Sequence, residues 1–358
     1  MTANTKPLQH SAFHGATGAA PVAANSTIRR KAAVAGAVLL IATLPFWAGD
    51  EYHLHVAALI ASFWILVAGL NLVVGYTGLL SLGHVALLAI GAYGFAILSN
   101  TYGMPPFLAL GAATAIGALC GFVLGLPSLR LPGFYFAMAT MAFSMIVGEF
   151  LLAQDGLTGG GAGLPVPSLP APFDSLRSFY WLVAGIALVI TLLTWNVTRL
   201  MWGKAMVALR DSEVAASSVG VPAFTIKLTV YTFSGATAAL GGALFGSLQS
   251  YITPDTFHFE LGMFFFICIV IGGRGAILGP LFGTIVLTAL PEVVAPLAKL
   301  GQFFYGALLL AVVLLVPEGI GSLFTVLREK LHPTRVTKEV ITPDLARLSA
   351  AIQRDNEA

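Results

Sequence analysis

Apolar runs recur along this chain at 32–48, 54–74, 79–98, 107–127, 134–153, 179–198, 226–250, 259–273, 276–297 and 302–320, with short polar or Gly/Pro-rich breaks between them. About 20 helical residues cross the roughly 30 Å of hydrocarbon in a bilayer. The pattern predicts an all-α integral membrane protein, a polytopic bundle of about ten transmembrane helices, in which 259–273 is a short crossing. Residues 52–129, 78 in all, contain no Asp, Glu, Lys or Arg. No water-soluble domain leaves so long a stretch uncharged, whereas lipid selects against every ionised group.

Composition agrees: 57% of residues are hydrophobic and 9% charged, with a mean hydropathy of +0.88. These values exclude an ordinary globular enzyme. The placement of charge matters more than its net value of +2. With residue 1 in the cytoplasm, cytoplasmic segments hold Arg29, Arg30, Lys31, Arg130, Arg199, Lys204, Arg210, Lys227, Arg274, Arg328, Lys330, Arg335 and Lys338, and only Arg177 and Lys299 fall outside. That bias orients the bundle with both termini cytoplasmic. Residues 1–31 read as a polar cytoplasmic tail, 32–322 as the transmembrane domain and 323–358 as a cytoplasmic C-terminal tail. Arg29-Arg30-Lys31 precede an apolar run without a small-residue cleavage pattern, so 32–48 reads as a retained helix rather than a signal.

Within the spans, Gly117, Gly121 and Gly125 form a stripe at four-residue spacing, as do Gly242 with Gly246 and Gly279 with Gly283. Such stripes let helix backbones approach closely in lipid, where apolar burial gives no driving force. Cys120 and Cys268 sit in apolar segments and read as small buried hydrophobes; two isolated cysteines make neither a disulfide framework nor a metal site.

Two loops are more than connectors. Residues 199–225 carry mixed charge and predict a short amphipathic helix from about Lys204 to Val219, stopped by Gly220 and Pro222. It fits either a docking element for a cytoplasmic partner or a helix lying on lipid headgroups. Residues 154–177, on the outside, are rich in Gly and Pro and read as an ordered turn followed by a semi-rigid connector. Their glycines are not a phosphate cradle, because a P-loop ends in Gly-Lys-Ser/Thr. The chain has no such sequence; Gly203-Lys204 is followed by Ala205.

The stretch GLNLVVGYTGLLSLGHVALLAIGAYG at 69–94 resembles the permease subunits of branched-chain amino-acid ABC importers, in particular the M-type subunit. LTGGGAGLP at 157–165, DSEVAASSVGVP at 211–222 and GGRGAILGPLFG at 272–283 resemble the same family in the same order. The resemblance covers about 32–322. It implies a half-channel in the plasma (inner) membrane of a prokaryote, paired with a second homologous permease. Two cytoplasmic ATP-binding subunits and an external solute-binding protein complete the assembly, and no nucleic-acid partner is implied. ATP is then used by the partner subunits, with no cofactor bound by this chain. It also implies that Glu213, Ala215, Ala216 and Gly220, in the segment opened by Arg210 and Asp211, couple the permease to the ATPase. One extra residue separates Glu213 from the alanine pair relative to the short form of that motif.

Intramembrane polar residues are candidates for a translocation path. Asn71, Gly75, Gly78, Ser81 and His84 cluster where glycines permit a bent or broken helix whose freed backbone groups line a cavity. His84 reads equally as a path residue or as a satisfied packing histidine, and Asn71 and Gln249 equally as glue between helices. Glu149 lies near the outer end of its span. Implied cargo is a branched-chain or related hydrophobic amino acid, selected mainly by the external binding protein. Urea, short amides and aromatic acids are the alternatives in the same superfamily. An ion-coupled secondary transporter would require midplane carboxylates and an inverted repeat. No HExxH motif, paired carboxylates or acid–base cluster marks an enzyme.

Overall fold

The computed structural model describes residues 51–131 and 133–294, without the side chains of 128, 129 and 291–294. The predicted spans 32–48 and 302–320, both tails and the outer limits of the 32–322 domain lie outside these residues. Within them the chain is helical almost throughout, because backbone N–H and C=O groups in lipid must pair inside their own segment. The long helices are α1 (Glu51–Asn71), α2 (His84–Asn100), α3 (Pro106–Gly125), α4 (Gly133–Ala153) and α5 (Leu176–Arg199). Two short helices follow, α6 (Met201–Asp211) and α7 (Glu213–Ser218), then α8 (Ala223–Gln249), α9 (Phe259–Gly272) and α10 (Gly279–Val294). Proline opens α3, where its missing N–H is no loss, and Ser175 caps α5 by accepting from the Ser178 N–H.

Six stretches are long and apolar enough to cross a membrane by length and composition: Glu51–Tyr76, α3, α4, α5, α8 and Pro254–Gly272; α2 and the first part of α10 are shorter apolar helices. Two predicted spans need correction. The span 79–98 is helical only from His84, and 276–297 only from Gly279. Gly78, Gly273 and Gly275 all have positive φ, a left-handed backbone that stops a helix, and the apolar residues beside them continue the hydrophobic run without continuing the helix.

Helix α8 is the centre of the bundle, packed by α1, α2 and α3; α5 and α10 close on α1, and α9 pairs with α10. The Phe63 ring stacks on Phe245 with centroids 5.5 Å apart and meets Phe265 edge-on at 5.1 Å. Cys268 is buried in this region and Cys120 half-buried, both as free thiols. By contrast α3, α4 and α5 leave most of their residues exposed or half-buried, the surface expected to face lipid.

The glycine stripes do what their spacing predicts. A Cβ on Gly121 would lie 2.8 Å from the Gly235 Cα of α8, and one on Gly125 2.9 Å from the Tyr231 Cβ. Gly242 abuts the Leu88 backbone, and Gly279 and Gly283 abut Gly272 and Cys268. Gly121→Val is expected to destabilise the bundle by about 1–3 kcal/mol through overpacking. Gly148→Val, on α4 with nothing within 4 Å, is the reference for helix propensity alone. Unfolding in mixed micelles measures both; equal losses would contradict the packing role.

The bundle has two chemically different ends. One holds Arg130, Arg199, Lys204, Arg210, Lys227 and Arg274, together with α6 and α7. The other holds Glu51, Glu149, Asp155, Asp174, Asp255 and Glu260, with Arg177 the basic residue among the described ones. At this acidic end residues 154–175 are ordered. Leu164–Pro165 (β1) pairs antiparallel with Tyr251–Ile252 (β2). Asn100 Nδ2 donates to Pro165 O at 2.7 Å, and Ser247 Oγ to Pro167 O at 3.2 Å. The predicted semi-rigid connector is therefore tied to the ends of α2 and α8.

Candidate functional site

Helix α1 does not end cleanly. Beyond Asn71 it continues as one π-helical turn, Leu72–Tyr76, counted as the end of α1, and residues 77–83 run without helix before α2 starts at His84. Such turns are frequent where a helix has been modified for function. Thr77 Oγ1 donates to Val73 O, and the Leu79 N–H to the same carbonyl at 3.1 Å. Farther on, the Leu82 N–H donates to Thr140 Oγ1 at 3.0 Å, and Ser144 Oγ donates to Leu82 O at 3.2 Å. Hydroxyls of α4 thus take over backbone groups of the break, as burial in an apolar medium demands.

The five predicted path residues separate into two clusters along this break. Asn71, Gly75 and Gly78 lie at the basic end. Asn71 is buried; its Nδ2 donates to Ala276 O at 2.8 Å, and its Oδ1 accepts from the Gly275 N–H at 3.4 Å. It is glue between the end of α1 and the α9–α10 turn. Gly75 packs against Gly275, and Gly78, exposed with φ +71°, lies against the stem of Arg210. Ser81 and His84 sit deeper, each 1% exposed. Ser81 Oγ is 2.9 Å from His84 Nδ1 and Ser234 Oγ 2.7 Å from Nε2. A neutral imidazole has one donor and one acceptor nitrogen, and each hydroxyl supplies whichever is needed. Ser234 is eleven residues into α8, about 16 Å from its start at 1.5 Å per residue, so this polar cluster lies well inside the bundle. Tyr231 stands over it, its ring 6.1 Å from His84 and edge-on to Phe136 at 5.3 Å.

The 199–225 loop departs from its predicted single helix over 204–219. The helix breaks at Ser212, whose backbone is extended and whose Oγ accepts from the Ala215 N–H at 3.3 Å. A serine that caps the following turn competes with its own place in the preceding helix. Gly220 does end the element, with φ +86°. Ala216 is buried, while Arg210, Asp211, Glu213, Ala215 and Gly220 are exposed, as are Val214 and Val219. Glu213 Oε1 accepts from Lys227 Nζ at 2.6 Å, which ties α7 to the first turns of α8. Arg210 Nη1 donates to Gly75 O at 3.0 Å and its Nε to Asp211 Oδ1 at 3.3 Å.

Glu149 and Gln249 are exposed, and among the described residues Gln249 has no buried place between helices. Sequence reasoning missed Ser234, Thr140, Ser144 and Lys227. Their signal was hydroxyls, and one lysine, inside or beside runs otherwise apolar; nothing in the sequence said which hydroxyls meet the break and His84, or that Lys227 meets Glu213.

The family described as branched-chain amino acid transport system / permease component matches residues 52–313. The high-affinity branched-chain amino acid transport system permease protein LivM of Escherichia coli is 32% identical, over 84% of this chain and 77% of its own length. LivM of Salmonella typhimurium is 31% identical over the same shares, and the fructose import permease protein FrcC of Rhizobium meliloti 30% over 62% of each chain. No solved structure matches.

Proposed function

The chain belongs to the permease family of branched-chain amino acid transport systems, and on that premise we propose that it is the M-type half-channel of an ABC importer for branched-chain or related hydrophobic amino acids. It is a transmembrane permease subunit and not itself an enzyme. The observation that carries the reading is the α6–α7 element. It is short, exposed and placed at the basic end, and it is held to the bundle on its inner side by Ala216, Arg210 and the Glu213–Lys227 pair. An element of that kind docks an ATP-binding subunit outward through Val214 and Val219 and passes movement inward.

The basic end is then cytoplasmic by the positive-inside rule, both termini are cytoplasmic, and about ten helices cross the plasma membrane of a prokaryote. The working assembly pairs this subunit with a second homologous permease, two ATP-binding subunits and an external solute-binding protein that meets the acidic end. ATP binding and hydrolysis in the partners shift α6–α7 and switch the bundle between outward and inward access. The path follows the break from Asn71 to His84, where the helix is interrupted and polar groups reach into the bundle. The fructose permease match is shorter than the LivM match, which supports an amino-acid cargo over a sugar.

The test is uptake by proteoliposomes holding this permease with its partner permease and ATP-binding subunits, supplied with ATP and the binding protein. Accumulation of leucine, isoleucine or valine that needs both is expected. Uptake of urea or an aromatic acid without these amino acids would overturn the cargo. Uptake driven by an ion gradient without ATP would overturn the transporter class.

A further inference from the structure

Three segments far apart in the chain meet at one point of the basic end. The π-helical end of α1 supplies the Gly75 carbonyl, whose usual helical partners lie in the non-helical stretch that follows. Helix α6 supplies Arg210, which donates to that carbonyl at 3.0 Å and lays its stem across Gly78, where a Cβ would come within 2.6 Å of the Arg210 Cγ. The α9–α10 turn supplies Gly275 and Ala276, which bond to Asn71 one turn before Gly75. A cation on the last carbonyls of a helix completes its unfinished hydrogen bonding and meets the negative end of its dipole. Here that cation comes from another element.

We infer that Arg210 is the positioning residue that transmits movement of the α6–α7 element to the break in the membrane helix, by capping the end of α1 from the cytoplasmic side. The inference rests on the importer reading above and adds the route by which docking reaches the path. A guanidinium suits the task because it bonds Gly75 O and Asp211 Oδ1 from different nitrogens of one rigid plane. An ammonium is a point donor that keeps the charge but not this fork. Glu213 and Lys227 serve a separate purpose, fixing α7 on α8. The two tethers divide the labour: one holds the element in place, and the other links it to the segment that rearranges.

The experiment uses the assembled importer in proteoliposomes and reads ATP hydrolysed per amino acid transported, alongside co-purification of the ATP-binding subunits. Arg210→Lys and Gly75→Ala attack the joint from its two sides; at Gly75 a Cβ would press on Asn71 Oδ1 and on the Gly275 nitrogen. Both variants are expected to assemble and to raise the ATP used per substrate about tenfold, the scale of one charge-assisted hydrogen bond. A wild-type ratio in either variant overturns the inference. So does loss of co-purification in Arg210→Lys, which would place Arg210 on the docking surface. If the unaltered permease fails to bind the ATP-binding subunits, it is the importer reading that falls, a result visible before any variant is made.

Discussion

Ala216→Pro is expected to abolish ATP-driven uptake and association with the ATP-binding subunits while leaving the chain inserted in the membrane. Helix α7 is six residues long and starts from the Ser212 cap. The Ala216 N–H makes its first turn by donating to Ser212 O at 3.0 Å, and Ala216 O accepts from the Val221 N–H at the other end. Proline at 216 removes that N–H, drives its ring toward the Ser212 carbonyl and disfavours helical geometry at Ala215, a penalty of about 3 kcal/mol or more. So short a helix has no other turns to absorb it, and the buried side chain at 216 cannot swing into water. The membrane spans do not depend on α7, because each satisfies its own backbone. Uptake by vesicles, co-purification and the membrane fraction of the variant measure the three parts of this result. Normal uptake would remove α7 from the coupling mechanism.

The second large effect concerns Glu213 and Lys227, and it is asymmetric. Lys227 Nζ lies at the end of a side chain only 6% exposed, whereas Glu213 is 51% exposed. Water screens the carboxylate and weakens the pair as a source of stability. The ammonium, however, has already lost most of its hydration. Glu213→Gln removes a charge that compensates it at 2.6 Å and is expected to cost about 1.5–3 kcal/mol, with the hold of α7 on α8 weakened. Lys227→Met removes the ion together with its desolvation penalty and is expected to cost less, as replacement of buried charges by apolar groups often does. Adding Lys227→Met to Glu213→Gln should recover stability, so the double-mutant cycle is strongly non-additive. Unfolding of the four proteins in mixed micelles checks this; additive losses would show that the 2.6 Å contact carries little.

The spans were legible because transfer of apolar side chains out of water is a sum over residues and survives without knowledge of the fold. The same sum misjudged 79–83: Leu79, Leu80 and Leu82 are as apolar as a helix requires, and only Gly75 and Gly78 hinted that the backbone turns away. The two-helix form of 201–218 was hidden for a related reason. Ser212 is neutral in a propensity sum, yet as a cap it decides where one helix stops and the next begins. Glu213 stands one residue farther from the alanine pair than the short form of the family motif has it, and its ion-pair partner Lys227, fourteen residues on, was not visible from that motif. The glycine stripe of α3 was readable from spacing, but its partner face on α8 was not. Arg210 and Gly75 are separated by 135 residues, and no local pattern relates them. For His84 the reading of a satisfied packing histidine describes the observed contacts, and its part in transport remains the proposal made above.

The close contact of α3 with α8 also has a meaning for biogenesis. Gly121 and Gly235 touch backbone to backbone, yet the second is made long after the first. At about 5–20 residues per second, the ribosome takes on the order of 5–20 s to travel the hundred or so residues between them. Throughout that interval the grooved faces of α1, α2 and α3 stand in lipid without the helix they are shaped to receive. Insertion and assembly are therefore separate events in this chain, and the newborn bundle is completed only when its central helix arrives.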